Sequence, residues 1–116
     1  MKKIYYLSTC DTCKRIMKEL QIDNSWEKQE IKTQPITEEQ LSEMKNFTGS
    51  YESLFSRRAM KYKALGLKDK TLTEEDYKQF ILEEYTFLKR PVVLLNKNVF
   101  VGNSKKVIAS IIEELG

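Results

Sequence analysis

Apolar positions change their spacing several times along the chain, and each change marks an element. Lys3 to Leu7, KIYYL, is a short run with strand character. Cys13, Ile16, Met17 and Leu20 then recur at i, i+3, i+4 and i+7, the stripe of an amphipathic helix. That helix is expected to start near Cys10 to Thr12 and to end by Ile22-Asp23-Asn24. Trp26 to Ile31 follows as a second strand. The chain therefore opens strand, helix, strand, a βαβ unit of about 30 residues.

The middle of the chain has helical patterning. Thr37-Glu38-Glu39-Gln40 is a capping box: the Thr hydroxyl accepts from the N3 amide while Gln40 reaches back. Ile36 and Leu41 are spaced as a hydrophobic staple, and the helix runs through Met44 to Phe47 before stopping at Gly49. Tyr51 to Leu65 reads as a second helix, with Leu54, Phe55, Ala59 and Tyr62 on one face and Gly66 ending it. Thr73-Glu74-Glu75-Asp76 opens a third, turning Tyr77, Phe80 and Ile81 inward. Residues 37 to 85 thus read as an all-helical insertion.

Sheet returns at the end. Arg90-Pro91 precedes Val92-Val93-Leu94-Leu95, a continuous apolar run suited to a strand buried on both faces. Asn96-Lys97-Asn98 is a turn, and Val99 to Val101 pairs back as a hairpin. Asn103 or Ser104 caps a last helix with Val107, Ile108, Ile111, Ile112 and Leu115 inward. The order is β-α-β, helices, then β-β-α, with Cys-x-x-Cys at the first strand-helix junction. That is the pattern of an α/β, thioredoxin-like fold, here one domain over residues 1-116.

Composition narrows the chemistry. The 41% of hydrophobic residues suffices for one core. A net charge of +3, from 20 basic and 17 acidic residues, gives no case for direct nucleic-acid binding. No apolar run approaches the roughly 18 residues of a membrane span, and the N-terminus is too short in apolar residues for a secretory signal. The expected setting is the cytoplasm, where thiols are kept reduced. The chain has no histidine. Ser-His-Asp and Cys-His catalysis, histidine metal ligation and histidine proton shuttling are therefore excluded. The chemistry must rest on Cys, Arg, Lys, Tyr or carboxylates.

The two cysteines, Cys10 and Cys13, lie in "STCDTCKR" (8-15). They can be read as half a metal site, as two inert core thiols, or as a redox pair. A zinc site needs four ligands, and one chain offers only two soft ones. Cys13 alone fits a core role, but Cys10 lies off the apolar stripe. A helix N-terminus favours the Cys10 thiolate, and Lys14 and Arg15 add positive charge in the first turn for the thiolate and for a bound anion. Asp11 opposes them unless it caps the helix. Cys13, one turn further in, keeps a higher pKa and acts as the resolving thiol. Pro91 either starts its strand, where the missing N–H costs nothing, or follows a cis bond that sets the backbone against the cysteine site.

Three segments, "YYLSTCDTCKR" (5-15), "SLFSRRAMKYKALGL" (53-67) and "FLKRPVVLLN" (87-96), resemble in that order the arsenate reductase (ArsC) family, with its Spx-type regulators and small YffB-type thiol proteins. The resemblance implies that Cys10 is the catalytic cysteine and Arg90 the arginine of the Arg-Pro motif. Arg58 matches the arginine of the insertion, with Arg57 in its place if the register slips by one. It implies attack of a cysteine thiolate on arsenate while arginines hold the oxyanion, a task that the guanidinium fork suits. The plainer reading of Arg58 and Arg90 is solvation or a surface ion pair. No bound cofactor is implied; the electron donor would be glutathione with glutaredoxin, or thioredoxin.

The departures from the pattern bear on function. The glutathione-coupled reductases have a one-cysteine motif, whereas this chain adds Cys13. They also carry a third arginine after the last hairpin, where this chain reads Val101-Gly102-Asn103-Ser104. The Cys10-Cys13 spacing is that of the Spx-type redox switch, although the sequence ends after the last helix, without the C-terminal extension of those regulators. Gly49 lies near the loop they use on RNA polymerase. Two functions are thus expected. The first is a thiol-dependent oxidoreductase acting on a small oxyanion or a thiol substrate. The alternative is an Spx-like regulator that binds RNA polymerase.

Overall fold

The computed structural model describes residues 2–116. Its strands are β1 (Lys2–Tyr6), β2 (Glu27–Glu30), β3 (Val92–Leu95) and β4 (Asn98–Val101). They form one mixed sheet in the order β2-β1-β3-β4. β1 runs parallel to β2 and antiparallel to β3, and β3 and β4 form an antiparallel hairpin. Contacts divide the chain into two compact units, Met1–Gln34 with Arg90–Gly116, and Pro35–Lys89. Among the described residues no helix is long and apolar enough to cross a membrane.

The first unit holds the sheet, helix α1 (Asp11–Glu19) and helix α5 (Lys105–Leu115). β3 is an inner strand and is buried at all four positions, which accounts for its unbroken VVLL run. Ile4 of β1 pairs with Val93, and both join Ile16, Leu20, Trp26, Leu95, Ile108 and Ile111 in one core cluster. Each such side chain contributes roughly 1.5–3 kcal/mol on burial. The expected strand 26–31 is realised as Glu27–Glu30, with Trp26 and Ile31 buried at its flanks.

Ser104 caps α5, its hydroxyl accepting from the Val107 amide at 3.2 Å. The sequence places Ile112 and Leu115 inward on α5, but they stay 47% and 38% exposed. Successive residues turn by about 100° around a helix. Ile108 and Ile111 take the core face, and Ile112 is carried past its edge.

In the second unit the described residues form α2 (Glu38–Thr48), α3 (Met60–Ala64), α4 (Glu74–Glu83) and 3-10 turns at Glu52–Leu54, Leu67–Asp69 and Tyr85–Phe87. The Thr37 capping box is present in both directions: the Gln40 amide donates to Thr37 Oγ1 and the Thr37 amide to Gln40 Oε1, each at 3.0 Å. Thr73 and Asp76 repeat the arrangement on α4. Gly49 ends α2 at φ 95°, a left-handed conformation that favours glycine.

The single helix expected over Tyr51 to Leu65 is not formed. After the 3-10 turn the chain extends through Phe55, at φ −85° and ψ 127°, and only Met60–Ala64 is helical beyond it. The competing interaction is main-chain pairing. Phe55 bridges Leu88, the Ser56 amide donates to Phe87 O at 2.7 Å, and the Lys89 amide to Leu54 O at 2.9 Å. This places the adjacent residues Leu54 and Phe55 both at 0% exposure. Phe55 then stacks on Phe87 at 4.9 Å and meets Tyr62, Tyr77 and Phe80.

Candidate active site

The chain leaves β1 through a tight turn. Leu7 O accepts the Cys10 amide at 3.1 Å across Ser8 and Thr9. Cys10 is the N-cap of α1, with extended backbone (φ −92°, ψ 112°), and its side chain makes no capping bond. Its carbonyl accepts the Lys14 amide at 3.1 Å. The Cys10 sulfur is thus left beside the amides of the first helical turn, where an anion is favoured. Cys13 lies on the inward stripe at 1% exposure, and the two cysteines approach to 3.6 Å.

The two thiols are pushed apart in acidity. Partial burial works against the Cys10 thiolate, but the Cys13 main-chain N–H, the Cys13 thiol and the Arg90 guanidinium outweigh it and lower the Cys10 pKa. Burial pushes the Cys13 thiol up to about 11. The Leu7 N–H works against that rise, while hydrogen bonding to Cys10 and its negative charge reinforce it; Arg90 offsets it only in part. The Cys10 thiolate is therefore favoured, while its neighbour is held toward the protonated form and can donate to it.

Arg90 reaches this site from the segment before β3. The Arg90-Pro91 bond is cis, and Pro91 is buried. The Gly102 amide donates to Pro91 O at 2.9 Å, and Asn103 Nδ2 to Arg90 O at 3.4 Å. Residues of the Val-Gly-Asn-Ser segment thus hold the carbonyls of Arg90 and of Pro91 after it. Asn103 reads from the sequence only as an alternative helix cap, and its contact to Arg90 joins positions too distant for spacing to connect.

Lys14 and Arg15 are exposed in the first turn of α1, and the cation acting on both thiols is Arg90. In the second unit, Arg57 is engaged: it pairs with Glu52 at 2.7 Å and donates to the Tyr77 hydroxyl at 3.2 Å. Arg58 is exposed, and among the described residues its side chain enters no ion pair or hydrogen bond. Of the two neighbouring arginines it is Arg58 that has its donors open.

Glu30, for which the sequence suggests no role, sits at the end of β2. Its carboxylate accepts the Ser8 amide at 2.8 Å and the Lys32 and Thr33 amides at 2.9 Å. A carboxylate closing a polar strand just before a Lys-Thr turn was the available signal.

A four-stranded mixed sheet with a Cys-x-x-Cys pair at its first strand-helix junction and a cis-proline ahead of the neighbouring strand defines a thiol protein of the thioredoxin-like class. The chain belongs to the ArsC family, whose model matches residues 5–111. No curated protein sequence matches it. Solved structures do. A Bacteroides fragilis protein described as ArsC-family-related is similar at a TM-score of 0.79 and 24% identity, over 95% of this chain and 96% of that one. A protein named YFFB is similar at 0.78 and 21%, over 97% and 99%. An arsenate reductase from Vibrio cholerae is similar at 0.76 and 17%, over 97% and 95%. At such identities the likeness establishes the thioredoxin-like fold.

Proposed function

We propose that this chain is a thiol-dependent oxidoreductase that acts on a small oxyanion such as arsenate, or on a glutathione mixed disulfide. The observation that carries the reading is the Cys10 sulfur at an uncapped helix N-terminus, beside both the Arg90 guanidinium and the buried Cys13. Family membership and the arsenate reductase among the structural relatives support the substrate class.

The Cys10 thiolate attacks arsenic(V), forming a sulfur–arsenic bond as a protonated oxygen leaves as water. Cys13, its proton released, then attacks the Cys10 sulfur. The sulfur–arsenic bond breaks, its electron pair goes to arsenic, and arsenite departs. The products are the Cys10–Cys13 disulfide and arsenic(III), so two thiols have supplied two electrons. An external dithiol, thioredoxin, or glutathione with glutaredoxin restores the pair. Arg90 holds the oxyanion, and Arg58 is the arginine that the family resemblance assigns to the same task; Lys14 and Arg15 add positive charge on the surface beside Cys10. Such a cycle needs a reducing compartment, as the cytoplasm is.

The test is steady-state arsenate reduction coupled to NADPH through the glutathione-glutaredoxin and thioredoxin systems in turn. Turnover should vanish in Cys10→Ser. In Cys13→Ser it should persist only where an external thiol can resolve the intermediate. The absence of turnover with arsenate and with glutathione mixed disulfides, in both systems, would falsify the enzyme reading. The same closeness of Cys10 and Cys13 favours one second reading, an Spx-like module whose disulfide changes its grip on RNA polymerase. Equal capture of polymerase by oxidised and reduced protein, or no capture, removes it.

A further inference from the structure

We propose that Glu30 is a positioning residue for the Cys10 thiolate, acting through the Leu7–Ser8 peptide bond. The inference rests on the reading of Cys10 as the nucleophile. Glu30 Oε2 accepts the Ser8 amide at 2.8 Å. The carbonyl of that same peptide unit, Leu7 O, accepts the Cys10 amide at 3.1 Å. A peptide unit is planar, so fixing its N–H and its C=O fixes its orientation. Through that plane Glu30 sets the direction in which Cys10 leaves the turn. Cys10's direction in turn decides whether its sulfur faces the Cys13 amide and Arg90.

The anchor is itself rigidly held. Glu30 Oε1 accepts the Lys32 and Thr33 amides at 2.9 Å and the Thr33 hydroxyl at 3.2 Å. Its own carbonyl accepts the Gln34 amide at 2.8 Å, and the Ile31 amide donates to Tyr6 O at 2.9 Å. The carboxylate therefore ties the end of β1 to the turn after β2, with one oxygen for each side. β1 and β2 are parallel neighbours, so these are carboxyl ends of adjacent strands, where open α/β sheets place their sites. A charged acceptor also polarises the peptide it binds, which strengthens Leu7 O as an acceptor for Cys10.

Only a carboxylate fits both sides. An amide at this position would offer one acceptor oxygen and would turn its NH2 toward main-chain donors. Glu30→Gln is accordingly the first variant, with Glu30→Ala beside it. The readout is the ultraviolet titration of the Cys10 thiolate in Cys13→Ser background, with the alkylation rate of Cys10 followed against pH.

Positioning and plain electrostatics predict opposite signs. Removing a nearby anion lowers a thiol pKa, whereas loosening the turn takes donors from the thiolate and raises it. The expected result is a rise of about half a pH unit or more in the Cys10 midpoint, with about threefold slower alkylation at neutral pH. A folded variant with an unchanged or lowered midpoint overturns the inference. Should both variants fail to fold, hydrogen exchange on the unsubstituted protein decides. A Ser8 amide protected to the level of the Cys10 amide supports the anchor, and one exchanging at the unstructured rate overturns it. A Cys10 in the unsubstituted protein that titrates as an ordinary cysteine removes the proposed nucleophile along with this inference. A lowered midpoint that the Glu30 variants leave in place removes Glu30 alone.

Discussion

Arg90, far along the chain, acts through its guanidinium on the thiol of Cys10 and helps to lower its pKa. The same guanidinium also acts on Cys13, where burial overrides it and holds that thiol protonated. One cation thus serves two neighbouring sulfurs with different outcomes, and burial makes the difference.

Replacing Arg90 should therefore be read first in the thiol titration. Cys10 has its pKa lowered, so the thiolate population falls if that support is removed. Arg90→Ala is expected to raise the Cys10 midpoint and slow alkylation at neutral pH. Arg90→Lys keeps the charge but not the planar fork, and should fall between the two. A midpoint unmoved in Arg90→Ala contradicts the pairing.

The adjacent arginines of the second unit should separate by phenotype. Arg57→Ala loses the Glu52 pair and the Tyr77 contact, yet Arg57 and Glu52 are 47% and 53% exposed. Solvent screening keeps its cost to about 1 kcal/mol or less. Arg58→Ala should leave the unfolding free energy within about 0.5 kcal/mol of the parent. If Arg58 holds the oxyanion, that variant raises the KM for arsenate, and unchanged kinetics would exclude it from binding.

Glu30 gives a pH-dependent prediction. Its folded pKa is depressed from 4.5 to about 2; its small burial opposes the shift, and hydrogen bonds from Ser8 and Thr33 outweigh it. Its contribution is fully present above the unfolded pKa and is lost as pH falls through the folded one. The gap in stability between parent and Glu30→Gln should be widest near neutral pH and close between about pH 4.5 and pH 2. Urea titrations across that window test it, and a gap independent of pH contradicts it.

Two packing features carry conventional magnitudes. Phe55→Ala removes a fully buried ring at the centre of the aromatic cluster and should cost about 3–5 kcal/mol. Thr37→Ala removes the cap from α2 and should cost about 1 kcal/mol. Denaturant unfolding measures both, and a loss in Phe55→Ala no larger than that in Thr37→Ala would place the core elsewhere.

Legibility in the sequence followed the range of the interactions. KIYYL, VVLL, the α1 stripe and the Thr37 box are local signals; the last three are found as read, and the first as a strand one residue earlier, Lys2–Tyr6. The stretch 51–65 failed because its helical spacing competed with pairing to residues 87–89, a partner that periodicity cannot see. α5 failed at Ile112, which lies past the edge of the core face, and at Leu115, which lies on that face but in the last position of the helix. At the site, Cys10 and Cys13 announced themselves by spacing. The contact of Arg90 with Cys10 had to come from the resemblance, and Glu30 acts through a main-chain bond that leaves no mark on composition.

β2 has a further consequence. It closes one side of the sheet, so one row of its backbone N–H and C=O groups finds no strand within that sheet. An uncharged strand in that place would invite a second chain to add on. Here the sequence is Glu-Lys-Gln-Glu, with Glu27 and Lys28 exposed and Glu27 bound across to Lys3 at 2.7 Å. An incoming strand would have to strip water from those charges. The charges along β2 thus guard the sheet against stacking edge to edge with its own copies.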